Sequence, residues 1–163
     1  MNPIVECVPN ISEGRDRKVL DAVAAAVEAV DGVRLLDMDP GQATHRTVFT
    51  FVGAPDAVKE AAFQLVKTTQ SLVDMRKHSG EHPRQGATDV CPFVPVRDCT
   101  LEDCAGWARE VGQRIGNELG IPVYLYGEAG TSEERKKLAF VRAGEYDGLE
   151  AKLAAGKVMP DFG

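Results

Sequence analysis

The sequence predicts an α+β fold: a ferredoxin-like (split βαβ) sandwich with an added strand and C-terminal helices. Three observations predict it. Strand-like and helix-like stretches follow one another in the order β-α-β-β-α-β-α-β, and the first six match the split βαβ order. The helical stretches carry apolar residues at three- and four-residue spacing, so each has one face to bury. One strand-like stretch, RTVFTFVG at 46–53, is apolar on both faces, as a central strand is. At 163 residues the chain suits one domain with a real hydrophobic core.

Each element has its own signal. IVECV at 4–8 reads as a strand, and Pro9, Asn10 and Gly14 mark the turn after it. Val19, Leu20, Val23, Val27 and Val30 form the stripe of a first helix, ended by Gly32. VRLLDMD at 33–39 is a second strand, joined to the strand at 46–53 by the hairpin connection PGQATH. A second helix starts at Pro55, a residue suited to the first helical turn, and stops near Met75 to Lys77. CPFVPV at 91–96 is extended, and its prolines suit an edge or a bulge. Thr100 is the expected N-cap of a third helix, which carries Cys104, Trp107, Ala108, Val111, Ile115 and Leu119 on its stripe and stops at Gly120. IPVYLYG at 121–127 is the added strand. Thr131 and Glu134 form the expected capping box of a fourth helix running to about Arg142, and YDGLEAKLAA carries a short fifth.

Composition narrows the function. The 25 acidic and 19 basic residues leave a charge of −6, which argues against a dedicated nucleic-acid binder. A local basic cleft for an anionic small molecule is compatible with it. No apolar run approaches the 18 residues of a membrane span. The opening MNPIVECVPNIS has no basic segment leading into an apolar run, so a cytoplasmic protein with four free thiols is expected. Cys99 and Cys104 have no second pair at ligand spacing, which speaks against zinc.

The densest chemistry lies in HSGEHPRQGATDVCPFVP, residues 78–95. His78 and His82 are four apart, but Pro83 and the flanking glycines keep them off a shared helix face. HSGEH is also not the H-E-x-x-H zinc pattern. A general acid–base residue suits an imidazole better than a metal site does, with Glu81 or Asp89 available to orient the ring or pair with a cation. Arg46 opens a largely apolar strand and needs a partner: a substrate carboxylate, or a structural pair with Asp37 or Asp39. NISEGR at 10–15 reads first as a capped helix start with Ser12 as the cap, and second as an anion-binding helix N-terminus. YLYGEAG at 124–130 is a weak pocket-wall signal at a strand end.

The blocks ECVPNISEGR, DMDPGQATHRTVFTFVG, HSGEHPRQGATDVCPFVPV, IPVYLYGEA, RAGEY and PDFG, in this order from Glu6 to Gly163, resemble the N-terminal subdomain of the glutamate formimidoyltransferases. In many animals this domain is fused to a cyclodeaminase. The resemblance implies transfer of a formimidoyl group from N-formimidoyl-L-glutamate to tetrahydrofolate as co-substrate, in histidine degradation, without a metal. It implies His82 as the acid–base residue. With it come Asp39 first and Glu81 second as partners of the amidinium, and Arg46 and Arg84 as partners of the donor's carboxylates. It implies folate contact beginning around PDFG, at Gly163. His45 departs from the family's usual asparagine. The family's transferase domain has two similar subdomains with the substrates between them. The resemblance therefore implies that residues 1–163 form the N-terminal one and that a C-terminal subdomain, in cis or in trans, completes the site. A homo-oligomer is left open. Two other readings compete: a stand-alone subdomain that binds folate or a protein partner, and a metal-dependent hydrolase using His78 and His82.

Overall fold

In the computed structural model, which describes residues 2–163, one antiparallel sheet carries helices on one face. Strands β1 (Ile4–Cys7) and β2 (Asn10–Ile11) are two halves of one line. Both pair with β4 (Arg46–Gly53) in a single register, Val5 opposite Gly53 and Asn10 opposite Val48. Pro9 lies between them and has no N–H to give the ladder, but its carbonyl still accepts from Phe49 N at 2.9 Å. The far edge is divided in the same way. β5 (Thr88–Val90) pairs with β2, β6 (Phe93–Arg97) pairs with β1, and Pro92 sits in the gap. β3 (Val33–Gly41) forms a hairpin with β4.

The connections follow from that order. β1 and β3 are both antiparallel to β4, hence parallel to each other, and α1 (Arg17–Glu28) joins them across it. β4 and β6 are both antiparallel to β1, and α2 (Pro55–Leu72) joins them. The sequence predicted an α+β sandwich with 46–53 as an inner strand, and both are present.

The core lies between the helices and the inward sheet residues. Val5, Cys7, Ile11, Phe49 and Phe51 meet Leu20, Val23 and Val27 of α1 and Val58, Ala62 and Leu65 of α2, all buried. Each such large side chain contributes roughly 1.5–3 kcal/mol by leaving water. α3 (Leu101–Leu119) adds Cys104, Val111 and Ile115. Thr100 is its N-cap, as expected, and Asp103 completes a capping box that the sequence reading did not call, each bonding the other's backbone; Gly120 ends it at φ 67°. Among the described residues the opposite sheet face has no such cover: Val48, Thr50 and Val52 are half-buried, and Val94 and Val96 are exposed. No helix among the described residues is long and apolar enough to cross a membrane.

Three local expectations are overturned. The added strand at 121–127 is absent, and the segment makes one isolated bridge, Val123 to Phe162. Pro122 cannot donate, and Leu125 N–H goes to the Asp161 carboxylate instead of a strand, at 2.8 Å. The Thr131–Glu134 capping box is also absent. Thr131 Oγ1 turns to Asp161, and helix α4 begins only at Leu138 (Leu138–Arg142), followed by α5 (Leu149–Ala155). Ser12 does not cap α1. Its residue is buried and donates to Gly86 O at 2.8 Å, while Asp16 accepts from Lys18 N as the cap.

Candidate functional site on the open sheet face

The site is built around the β3–β4 turn. His45 closes this turn with φ 52°, a left-handed geometry that asparagine, aspartate and histidine adopt more readily than other side chains. Two glycines let neighbouring chain approach it. A Cβ at Gly14 would stand 2.3 Å from Gly41 O, and one at Gly80 would stand 2.4 Å from Thr44 O. The loop carrying His78 and His82 is thereby pressed against the residues that lead into Arg46.

The rings of His45 and His78 stack at 4.5 Å. His78 Nε2 lies 2.9 Å from His45 O, a carbonyl that can only accept, so that nitrogen carries the proton. Nδ1 of His78 is then free to accept from Arg84 Nε at 3.0 Å. His45 Nδ1 accepts from Gly14 N at 3.0 Å. Glu13 Oε1 is 3.4 Å from the same nitrogen. Burial nevertheless lowers the His45 pKa, with Glu13 opposing and His78 and Arg15 adding to the fall, so the ring is neutral and the contact is not an ion pair.

His82 is held differently. Its Nδ1 lies 2.6 Å from Pro83 O and so carries the proton, leaving Nε2 as an acceptor. Arg46 donates to that Nε2 through Nη1 and to Asn10 Oδ1 through Nη2. Asn10 is buried and in turn donates to Val8 O at 2.9 Å. Two strands, β2 and β4, thus fix one ring on a loop. Burial lowers the Arg46 pKa, the Asp89 carboxylate opposes this, and Arg142 adds to it. Its Nε is buried with no protein partner.

Asp39 stands opposite Val48 in the β3–β4 register and lines a cleft of about 190 Å³ with Pro40, Gly41, Thr44, Arg46 and Val48. The structure therefore brings Arg46, His82 and Asp39 into one neighbourhood: Arg46 bonds His82 and also lines the cleft that Asp39 lines. It does not bring Arg84 there. That guanidinium is taken by His78 and by Glu145 and Asp147, at 3.4 and 3.1 Å. Glu81 is exposed, and its backbone N–H donates to Ala43 O. Gly163 closes on Ile121 and Pro122 beside Gly116 of α3, on the helix side. His78 and His82 face different partners, and no group of three or more metal-ligating side chains occurs among the described residues. In NISEGR, Ser12 N donates to Ala87 O, Gly14 N to His45 Nδ1 and Arg15 N to Glu13 Oε1, so these N–H groups are not free for an anion.

The sequence reading missed the role of Asn10 and the partner of Asp89. Asn10 looked like a turn marker, although it follows an apolar strand and sits beside a second extended residue. Asp89 forms a buried pair with Arg142 of α4 at 2.5 Å, while its other oxygen accepts from Gln85 N at 2.7 Å. It clamps the base of the His82 loop, and the 53-residue separation of the pair gave no local signal.

Comparison with known proteins gives the family. Residues 4–163 match the family model described as "Formiminotransferase domain, N-terminal subdomain". The chain is 54% identical over its whole length to a formimidoyltransferase-cyclodeaminase of Dictyostelium discoideum, covering 30% of that protein. It is 51% identical to the protein of the same name from Rattus norvegicus, again over its whole length and 30% of the relative. It is 48% identical to a glutamate formimidoyltransferase of Streptococcus pyogenes serotype M1, over all of this chain and 54% of the relative. The chain thus spans between about a third and about half of these relatives' lengths. The chain belongs to the formiminotransferase family, as its N-terminal subdomain.

Proposed function

We propose that this chain takes part in formimidoyl transfer from N-formimidoyl-L-glutamate to tetrahydrofolate, and that it supplies the acid–base half of the site. The observation that carries the reading is the fixed His82 ring. Pro83 O accepts from Nδ1–H, and Nε2 is turned toward Arg46 on the open sheet face. The chain's membership of the formiminotransferase family, and the glutamate formimidoyltransferase name of its Streptococcus pyogenes relative, supply the reaction class.

The geometry supports a sequence of proton movements. Arg46 leaves His82 for the donor's carboxylate, for which its planar fork is the better match. Nε2 of His82 is then free. N5 of tetrahydrofolate bonds to the amidine carbon, and His82 Nε2 takes the proton that N5 must lose. His82 returns it to the glutamate nitrogen as the old carbon–nitrogen bond breaks, so one ring serves as base and then as acid. Pro83 O accepts from Nδ1–H throughout and stabilises the transient imidazolium. Asp39, across the cleft from Arg46, pairs with the amidinium. Half-buried Val48 and Val52 offer apolar surface to a planar ring on the same face. Glu81 and Arg84 take supporting places on the loop, and Gly163 belongs to a folate contact made with the C-terminal subdomain.

The test is an assay of the chain with both substrates, with and without the family's C-terminal subdomain. Transfer restored by that subdomain is the expected result. Absence of transfer in both arms, with substrate binding retained, would favour a binding module instead.

A further inference from the structure

Cys7 and Cys91 are 84 positions apart in sequence, yet their sulfurs stand 3.7 Å apart. Cys7 lies on β1, opposite Phe93 of β6, and is fully buried on the helix-facing side. Cys91 comes two residues before Phe93, so it faces the same side one diagonal step along. It sits in the gap between β5 and β6, where Pro92 removes a ladder hydrogen bond and leaves the chain some slack. Neither residue is in a disulfide.

The two thiols differ in access. Cys91 is half-buried and lines a cavity of about 470 Å³ beneath α3, with Cys104, Val111, Ile115, Leu125 and Tyr126 on other walls. Cys7 lies behind it. Disulfide sulfurs are bonded at about 2.05 Å, and a diagonal pair closes only where the backbone can give a little, as at this gap in the ladder. Closure here needs the two sulfurs to approach by roughly 1.7 Å, within reach of side-chain rotation at a gap in the ladder.

We propose that Cys7 and Cys91 form an exchange-competent dithiol: Cys91 attacks a small-molecule disulfide, and Cys7 resolves the adduct to an intramolecular Cys7–Cys91 bond. In the first step the Cys91 thiolate bonds to one sulfur of the small disulfide and expels the other as a thiolate. In the second, the Cys7 sulfur bonds to Cys91 and expels the remaining small thiol, while the Cys7 proton passes to a departing thiolate. Two protein thiols are oxidised by two electrons, and one disulfide is reduced to two thiols. Burial, and the neighbouring Cys91, raise the Cys7 pKa well above its ordinary value, so resolution is the slow step and quickens with pH. The new bond would lie three residues before Asn10 on one strand line and two after Asp89 on the other, close to the residues that anchor Arg46 and the His82 loop.

Cys99 and Cys104 serve as the internal comparison. Cys99 Sγ donates to Ile4 O at 3.3 Å and is held by β1. The native chain is incubated with oxidised glutathione, then analysed by intact mass and a non-reducing peptide map. The expected product has lost two hydrogens, links the Cys7 and Cys91 peptides, and reverts with dithiothreitol. Cys7→Ala should stop at one glutathionyl adduct on Cys91. Cys91→Ser, which keeps the buried residue, should leave Cys7 unmodified and covers the case in which Cys7→Ala does not fold. A Cys99–Cys104 link in place of Cys7–Cys91, four free thiols after prolonged exposure, or modification of Cys7 in Cys91→Ser would each overturn the proposal.

Discussion

Arg46 donates to Nε2 of His82, the one ring nitrogen that Pro83 leaves free. A base held by a cation is a resting arrangement. The ring becomes available when something with more negative charge draws the guanidinium away. On the proposed reading that something is the donor's carboxylate, which would couple substrate arrival to release of the base.

Arg46→Ala should therefore damage donor binding more than folate binding. Hydrogen bonds to charged groups contribute about 1.5–3 kcal/mol, so KM for N-formimidoyl-L-glutamate should rise on the order of 10- to 100-fold. Arg46→Lys should recover only part, because an ammonium cannot bridge Asn10 and a carboxylate in one plane. Steady-state kinetics with each substrate varied in turn checks this, and an unchanged donor KM removes Arg46 from the pocket.

Asp89→Asn should destabilise the fold. The Asp89 side chain is only 2% exposed, and its loss of charge leaves Arg142 buried without its counter-ion. Breaking such a pair costs about 3–5 kcal/mol. The urea midpoint should fall accordingly, and a variant within error of wild type would show that the pair is solvated.

The His45 ring should make stability depend on pH. Its folded pKa is lowered from the ordinary 6.5, chiefly by burial. Between the lowered value and 6.5 the unfolded chain binds more protons than the folded one, so stability rises with pH through that window. The contribution is complete above the unfolded value and is lost as pH falls through the window. Chemical denaturation at about pH 7.5 and about pH 5 should show the loss, and His45→Asn should show a shallower slope. Asparagine also tolerates the left-handed backbone at this position. Identical slopes for the two proteins would mean that His45 titrates as it does in the unfolded chain.

Gly80→Ala probes the press of the loop on the turn. The added Cβ meets backbone, Thr44 O at 2.4 Å, so it cannot be absorbed by a side-chain rotation. The His82 loop should shift away from Arg46, lowering transfer while the core stays folded. Gly106→Ala is the control, because nothing lies within 4 Å of its Cβ position. Equal activity in the two variants would show that the close approach is not required.

The sandwich was legible because its signals are local and periodic. The stripes of α1, α2 and α3, the Thr100 cap, Pro55 and Gly120 all stand where sequence spacing put them. The failures share a cause as well. At 121–127, and again at Thr131, the partner that decided the outcome was Asp161, some 30 positions away. Asp161 accepts from Leu125 N, Thr131 Oγ1 and Arg135 Nη1, and so makes a tail-anchored strap of a segment whose own pattern favours a strand. Proline breaks hid β2 and β5, which are short because Pro9 and Pro92 interrupt two longer strands. At the site, residue chemistry marked the loop at 78–95 and Arg46, and the family resemblance, not local chemistry, singled out His82 and Asp39. The ion pairs of Arg84 gave no local signal, because Glu145 and Asp147 lie about 60 positions on.

The most direct measurement is the single-turnover rate of formimidoyl transfer by His82→Asn, with the C-terminal subdomain supplied and both substrates saturating. Asparagine can keep a hydrogen bond to Arg46 but cannot carry a proton between two nitrogens. The rate should fall by roughly 10²- to 10⁴-fold, with substrate affinities within a few-fold of wild type. A rate within a few-fold of wild type would contradict this and place the proton shuttle elsewhere.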